Sequence, residues 1–445
     1  MRIVFLLIVY YSSVAYALLN PLFGLLFYFH ITIFRPDSLA WGHFAFGRLH
    51  LITAFAVLIG YFLHGRQDRR GVGPHQTTNV VLFVLLLIWF VIASIMAQVS
   101  VEASFQQTFE LTKIFVPCFI FSRIMTRENL DYYTWVTGIS FGLLGFWGFL
   151  QGVAGNPRLD DLWPGGSNYI AAQLALMTPL MIARAIDARP WASRTIFLAS
   201  AIAMTLCVIY TESRGGLVGL AIGLGILAMC VKQRLKLVAA LVIGFLCISP
   251  WISPSYQERV AGIFSEEDKR DDSAKSRVIT WNLAFLIWQD NPVVGVGLGN
   301  FSPVKDQYDD RIQDINGKLH DLIFNRERMP HGMYQGLLAE TGTIGALLFV
   351  ALILFNVCSP LPRQFIESEG NSSLVLQSRG ARAGLIGFCF AAIFGDFQYI
   401  EAFYWQIFFV GAIHDQAVSH ASSVKLAESS SSDLPSSLPH VAPAA

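Results

Sequence analysis

The feature that most constrains this chain is a series of apolar runs, each long enough to form a helix that crosses a membrane. A hydrocarbon layer of about 30 Å is spanned by about 20 helical residues, and a helix satisfies its own backbone amides inside lipid. Only 14% of the 445 residues are charged and 54% are apolar, whereas soluble domains carry about 25% charged residues. We therefore predict an all-α integral membrane protein, a bundle of about 12 transmembrane helices with one long outer loop containing interfacial helices.

The apolar runs define the predicted spans. They cover residues 3–34, 49–64, 79–98, 107–125, 133–154, 170–187, 192–211, 215–231, 235–251, 333–357, 384–399 and 402–416. The first run is long enough for one helix or for two short helices broken near Asn20 and Pro21.

The orientation of the spans follows from the short basic loops, because cytoplasmic loops carry an excess of Lys and Arg. Five such loops alternate correctly along the chain and hold Arg66, Arg69, Arg70, Arg123, Arg127, Arg184, Arg189, Arg194, Lys232, Arg234, Lys236, Arg363, Arg379 and Arg382. They predict an N-terminal transmembrane bundle over 1–252, a long outer loop over 253–330 and C-terminal transmembrane helices over 331–418. The tail over 419–445 is rich in Ser, Pro and Ala, which indicates cytoplasmic disorder. The net charge of zero gives no reason to expect nucleic-acid binding.

The outer loop contains a predicted amphipathic helix over 277–289. Its apolar face is formed by Trp281, Ala284, Phe285 and Trp288. We expect this helix to lie in the membrane interface, with its tryptophans at the level of the lipid headgroups. The following segment, 295–301, imitates a nucleotide-binding loop but succeeds a helix stop instead of a strand, so we interpret it as a turn that shapes the outer site.

Three residues where outer span ends meet the long loop are candidates for chemistry: Arg214, Arg277 and His331. Arg214 lies between two apolar spans, where a charge is costly and commonly marks a substrate site. Arg277 opens the predicted helix, and a cation in a first turn opposes the helix dipole unless an anion binds there. Two guanidinium groups could hold a pyrophosphate, and a histidine could accept the proton of an attacking hydroxyl. Contact with phospholipid headgroups is the alternative role for either arginine, and an interfacial hydrogen bond is the alternative for His331.

Other polar residues near these span ends are possible supporting residues. They are Trp281, Tyr334, Glu340, Asp396 and Glu401, of which the last two could line the site or serve as the base. Inside the membrane, Glu110 and Lys113 have the i,i+3 spacing of an ion pair. None of the six cysteines has metal-site spacing and no HExxH motif occurs, so we predict neither a metal nor a cofactor.

The motifs around these residues resemble those of the O-antigen ligase and polymerase superfamily. The resemblance lies in Arg214 with its following glycines, Arg277 to Trp281, the segment 291–301, and His331 with Gly342 and Gly345. It covers about 130 residues, and the combination is more specific than any single piece. One departure is Gly332, because the family commonly has Asn, Ser or Gln after the histidine. Residues 20–24 and 34–42 also resemble exosortase-associated putative O-glycosylation ligases.

The resemblance implies a multi-pass glycosyltransferase of the bacterial inner membrane, with its site facing the periplasm and no metal requirement. The implied donor is an undecaprenyl-pyrophosphate-linked glycan, held by Arg214 and Arg277 while His331 acts on the acceptor hydroxyl. The acceptor could be lipid A core or protein, as for a ligase, or the glycan itself, as for a Wzy-type polymerase. A transporter or flippase of a lipid-linked anion is the alternative from outside the enzymes.

Overall fold

In a computed structural model, which describes residues 2–34, 49–64, 72–156, 166–188, 190–249, 272–312, 317–324, 327–369 and 373–432, every regular element is a helix. The helices are α1 (Arg2–Leu19), α2 (Pro21–Phe34), α3 (Leu49–His64), α4 (Pro74–Ile95), α5 (Val101–Ile124), α6 (Arg127–Val153), α7 (Gly166–Asp187), α8 (Trp191–Tyr210), α9 (Arg214–Cys230), α10 (Arg234–Ile248), α11 (Asp272–Asp290), α12 (Phe301–Lys305), α13 (Gly317–Phe324), α14 (Met333–Cys358), α15 (Arg363–Glu369), α16 (Ser373–Ala391) and α17 (Glu401–Ser432). Short 3-10 helices follow α12 at Asp306–Arg311 and α16 at Ala392–Phe394.

The described helices are those of a multi-pass membrane protein, as the apolar runs predict. Five of them, α4, α6, α7, α8 and α14, are long and apolar enough to cross a membrane, and shorter apolar helices add to these. The first apolar run forms two helices, α1 and α2. They separate at Asn20, whose side-chain Oδ1 accepts a hydrogen bond from Phe23 N (3.0 Å) at the start of α2.

The centre of the bundle is the close packing of α7, α9 and α16. Small residues make this approach possible: a Cβ at Gly384 would lie 1.9 Å from the carbonyl oxygen of Leu176. Such small-residue contacts replace the hydrophobic driving force that helices lack inside lipid. Helix α16 begins well before the predicted span 384–399, because its polar first turns are buried against neighbouring helices instead of facing lipid.

Helix α14 is broken at Gly342, and the break holds the segment that follows α11. Gly342 has φ 66°, and a Cβ there would lie 2.2 Å from Val293 O, so only glycine fits. The break frees carbonyl groups that then accept hydrogen bonds from the segment: Val296 N donates to Ala339 O (3.0 Å) and Gly297 N to Glu340 O (2.9 Å). The segment 295–301 is therefore a turn docked on α14.

Other predicted boundaries also differ from the structure: α5 and α6 each begin six residues earlier than predicted. Helix α11 begins at Asp272 instead of residue 277 and packs on α14, with Leu283, Ala284 and Ile287 in a small apolar core. Phe285 on the predicted apolar face is half-exposed. Helix α17 continues to Ser432, where disorder was expected from residue 419. The predictions for the basic loop at 65–71, for Arg189, for residues 35–42, for 250–271 and for 433–445 lie outside the described residues.

Candidate active site

His331 lies at the start of α14 in a backbone conformation that its neighbour Asp396 stabilises. Its φ is 53°, in the left-handed region that costs a non-glycine residue about 1–3 kcal/mol. The carboxylate of Asp396 accepts hydrogen bonds from His331 N (3.1 Å) and Gly332 N (3.3 Å). His331 Nδ1 lies 3.8 Å from Asp396 Oδ2. Asp396, proposed from sequence as a possible base, thus positions His331 from a point 65 residues further along the chain.

The electrostatic environment keeps the imidazole neutral. Burial, followed by the positive charges of Arg328 and Arg277, lowers the pKa of His331 to about 4. Burial raises the pKa of Asp396 to about 6, against the opposing effects of its two amide hydrogen bonds and of Arg277. At neutral pH the histidine can therefore accept a proton, while the carboxylate beside it is mostly ionised.

Arg277 lies on α11 within electrostatic range of both His331 and Asp396. It occupies the second turn of the helix and does not open it, so the argument from the first turn is wrong for this residue. Its position depends on a contact between α11 and the segment before His331: Thr280 Oγ1 donates a hydrogen bond to Pro330 O (2.9 Å).

Arg214 is the first residue of α9, so the argument from the helix dipole applies to it instead. The helix is capped by Ser213, whose Oγ accepts from Gly216 N (3.2 Å) and donates to Asn168 Oδ1 (2.7 Å). Gly215 packs against Phe394, two residues before Asp396. The start of α9 therefore lies beside the segment that holds His331, with a cation where a helix favours an anion.

Arg328 is a cation of this site that the sequence analysis missed. Its Nη2 donates to Ser276 Oγ (2.7 Å), next to Arg277, and its backbone N donates to Ser302 Oγ (3.1 Å). Among the positive charges near His331 it has the largest effect on the histidine's pKa. The available signal was its position three residues before His331.

Trp281 and Gln335 bring two polar atoms to the other side of His331. A Cβ at Gly332 would lie 2.8 Å from Trp281 Nε1 and 2.3 Å from Gln335 Oε1, so a side chain at position 332 would not fit. Within the described part of the chain, both atoms are buried without a hydrogen-bond partner. An indole donor and an amide acceptor in this place can bind hydroxyl groups. Gln335 was missed, although it follows His331 by four residues at the start of a helix.

The other supporting candidates lie away from His331 or hold the fold. Tyr334 donates its hydroxyl to Cys389 O (3.0 Å). Glu340 is buried and its Oε1 accepts from Phe301 N (3.2 Å), which fixes the turn after α11. Glu401 accepts from Tyr28 OH (2.7 Å) and faces the N-terminal helices. Among the described residues, no group of three or more His, Cys, Asp or Glu side chains is placed to hold a metal ion.

The fold and the site define a multi-pass, all-helical membrane protein with a neutral histidine among arginines at one end of its bundle. Residues 199–350 match the family described as O-Antigen ligase, and residues 1–156 match a family of unknown function. No curated protein matches the chain. The chain thus contains a domain of the O-antigen ligase superfamily, which confirms the resemblance in its motifs. The resemblance of residues 20–42 to exosortase-associated ligases stays a prediction.

Proposed function

We propose that the chain is an inner-membrane glycan ligase that transfers an undecaprenyl-pyrophosphate-linked glycan to lipid A core or protein. One observation carries the proposal: His331, positioned by the Asp396 carboxylate and close to Arg277 and Arg328, lies within a segment that matches O-antigen ligases. Arg214 adds a third cation at a helix N-terminus, where an anionic group is favoured. Binding of a pyrophosphate beside an acceptor hydroxyl would involve all four side chains, those of Arg214, Arg277, Arg328 and His331.

The transfer follows from the roles of these groups. The acceptor hydroxyl attacks the anomeric carbon of the donor's first sugar, and the bond from that carbon to the pyrophosphate oxygen breaks. Undecaprenyl pyrophosphate leaves with the bonding electrons, and Arg214 and Arg277 stabilise its charge. His331 takes the hydroxyl proton. Attack opposite to the leaving group inverts the anomeric centre, and no step requires a metal ion.

The orientation belongs to the same proposal, with the site facing the periplasm and about twelve spans in all. The described basic residues of the short loops lie at the end of the bundle away from His331. Among them, Arg127 forms an ion pair with Glu369 (2.7 Å) and Arg184 forms one with Asp131 (3.0 Å). Cytoplasmic loops are the ones enriched in Lys and Arg, which supports this direction.

Product analysis tests the function. The purified protein in nanodiscs is supplied with an undecaprenyl-pyrophosphate glycan and, in separate reactions, with lipid A core, an acceptor protein or no added acceptor. A ligase forms a new glycosidic bond and releases undecaprenyl pyrophosphate only when an acceptor is present. Longer lipid-linked glycans without acceptor identify a polymerase, and chemically unchanged substrates that cross the membrane identify a transporter.

Cysteine labelling tests the orientation. In a variant without the six native cysteines, Gln307→Cys and Asp310→Cys place exposed thiols in the loop near the site, and Arg363→Cys places one at the opposite end. An impermeant maleimide added to the periplasmic side should label the first two and spare the third. Labelling of Arg363→Cys alone would reverse the proposed orientation.

A further inference from the structure

A chamber with largely apolar walls and several polar groups lies beside the His331 site, on the side of the N-terminal helices. It is a cavity of about 530 Å³ between α2, α3 and α5 on one side and α7 and the start of α17 on the other. Three of these five helices belong to residues 1–156, which match the family of unknown function. Most of the helices around the cavity therefore belong to a region whose family match assigns it no function.

Among the described residues, the chamber carries one cation, Lys113, and two carboxylates, Glu110 and Glu401. Glu110 and Lys113 form the ion pair predicted from their spacing, and both line the cavity. They lie on α5 about 14 Å and about 18 Å from its first residue, at a depth where ionisable residues commonly mark a substrate path. The amide side chains of Gln107, on α5, and Gln173, on α7, also line the cavity.

Two buried hydroxyls that line the chamber, those of Thr32 and Tyr399, have no hydrogen-bond partner among the described residues. Leaving such a group unsatisfied costs about 1–3 kcal/mol. A ligand hydroxyl that enters the cavity would satisfy it.

The chamber is bounded toward the lipid by aromatic side chains that also face outward. Phe55 on α3 and Phe109 on α5 both line the cavity, yet they are 56% and 53% exposed. Since the surroundings of these helices are hydrocarbon, a residue that is both lining and exposed marks a rim between the cavity and the lipid. The rim lies between α3 and α5.

The chamber ends next to the His331 site. Tyr399 is three residues after Asp396, and it interacts electrostatically with Glu110 in the chamber and with Asp396 in the site. From the other side, Gln107 packs on Gly299: a Cβ there would lie 3.2 Å from Gln107 Cγ. A molecule held in the chamber can therefore present a hydroxyl toward His331.

We propose that this chamber binds the accepting sugar of a lipid-anchored acceptor: the uncharged, hydroxyl-rich sugar contacts Gln173 and Tyr399, while the alkyl chain leaves between α3 and α5. The identification of the bound molecule as the acceptor rests on the proposed function, whereas its binding to the chamber does not. The pyrophosphate of the donor is a poor occupant, because the cation of the chamber is already paired with a carboxylate. Hydroxyl groups suit its amides, its carboxylates and the Tyr399 hydroxyl.

Photolabelling tests the binding without any transfer. The protein in phospholipid nanodiscs is irradiated with a dodecyl glucoside that carries a diazirine on its chain, and labelled peptides are mapped. Label should fall on α3 and α5, and excess dodecyl maltoside should compete while excess dodecyl phosphate should not. Label confined to other helices, or equal competition by the phosphate, would overturn the proposal, the second outcome by assigning the chamber to an anionic headgroup.

Two variants test the assignment to the acceptor. Ala54→Trp fills the chamber, and Gln173→Leu removes an amide without adding bulk, so a folding failure of the first leaves the second. Each should lower photolabelling and raise the acceptor KM by about five- to ten-fold, with the donor KM unchanged. Ile59→Trp, on the same helix as Ala54 but exposed and outside the chamber, is the matched control.

An increase in the donor KM would assign the chamber to the donor glycan, and unchanged kinetic constants and labelling would refute the proposal. Photolabelling that succeeds in a protein without transfer activity would leave the chamber standing and remove the proposed function.

Discussion

The His331 site and the neighbouring chamber differ in how their charges are arranged. The site places Arg277 and Arg328 near His331 and Asp396, with Arg214 at the neighbouring start of α9. The chamber holds the Glu110–Lys113 ion pair, a second carboxylate in Glu401, and neutral amides. A region with excess cations favours an anionic group, whereas a region with an excess carboxylate and neutral amides disfavours an anion and favours hydroxyls. The two halves of a glycosyl transfer, a pyrophosphate donor and a hydroxyl acceptor, require this division.

The largest effect should come from His331, the residue to which we assign the proton transfer. His331→Ala should lower the single-turnover rate of transfer by about 10²–10⁴-fold, because it removes the base. Donor affinity should fall little, since the arginines provide most of the attraction for the pyrophosphate. Rapid-quench turnover and donor binding are measured side by side.

The control for this variant is His320→Ala, which removes a histidine paired with Asp309 in the same loop. It should leave both quantities near their wild-type values. Equal losses of donor affinity and rate in His331→Ala would mean that His331 binds substrate and is not the base.

A smaller loss of activity is expected when lysine replaces an arginine, because lysine keeps the positive charge but lacks the planar guanidinium group. Arg214→Lys and Arg277→Lys should each lower kcat/KM for the donor by about 10- to 100-fold, because an ammonium group cannot form the paired hydrogen bonds of a guanidinium. The acceptor KM should not change, since the chamber is untouched. Arg311→Lys, at an exposed arginine paired with Asp290, is the matched control. Wild-type kinetics in both variants would reduce the arginines to headgroup contacts.

Much of the fold could be predicted because lipid imposes it on the composition. The spans 170–187 and 333–357 closely match α7 and α14, since both are long apolar runs with clear ends. Helix α16 was placed too late because its polar first turns face protein, which a hydropathy pattern cannot distinguish from a loop. The helical continuation of α17 was missed for a similar reason, since its last turns are polar and rich in Ser.

The residues of the His331 site could be predicted only in part from the sequence. Its cations and histidine lie next to apolar runs and stand out in the sequence, but their partners do not. The contact of Asp396 with the backbone of His331 joins two distant segments, and no local pattern encodes it. Likewise Glu401 was grouped with the site by its position near an outer turn, whereas its hydrogen bond with Tyr28 directs it toward the chamber.

The smallest effect should distinguish the two titrating groups of the site. The pKa of His331 is about 4 and that of Asp396 about 6, and both groups act in their deprotonated forms. In the wild type, kcat/KM for the donor, which reports the free enzyme, should therefore be high above pH 6, fall as the pH drops through about 6, and fall again near 4. The donor adds no step of its own, because a pyrophosphate diester stays ionised over this range.

Asp396→Asn should remove the fall near 6 and keep the fall near or below 4, with a loss of only about five-fold at pH 8, since the amide oxygen still accepts one of the two backbone hydrogen bonds. Asp310→Asn, at an exposed carboxylate in the outer loop, should reproduce the wild-type profile. Samples returned to pH 8 after each measurement separate titration from unfolding. If Asp396→Asn instead retained a fall near pH 6.5, the ordinary value for histidine, then His331 would titrate as an exposed residue, and the cations around it would not keep it neutral.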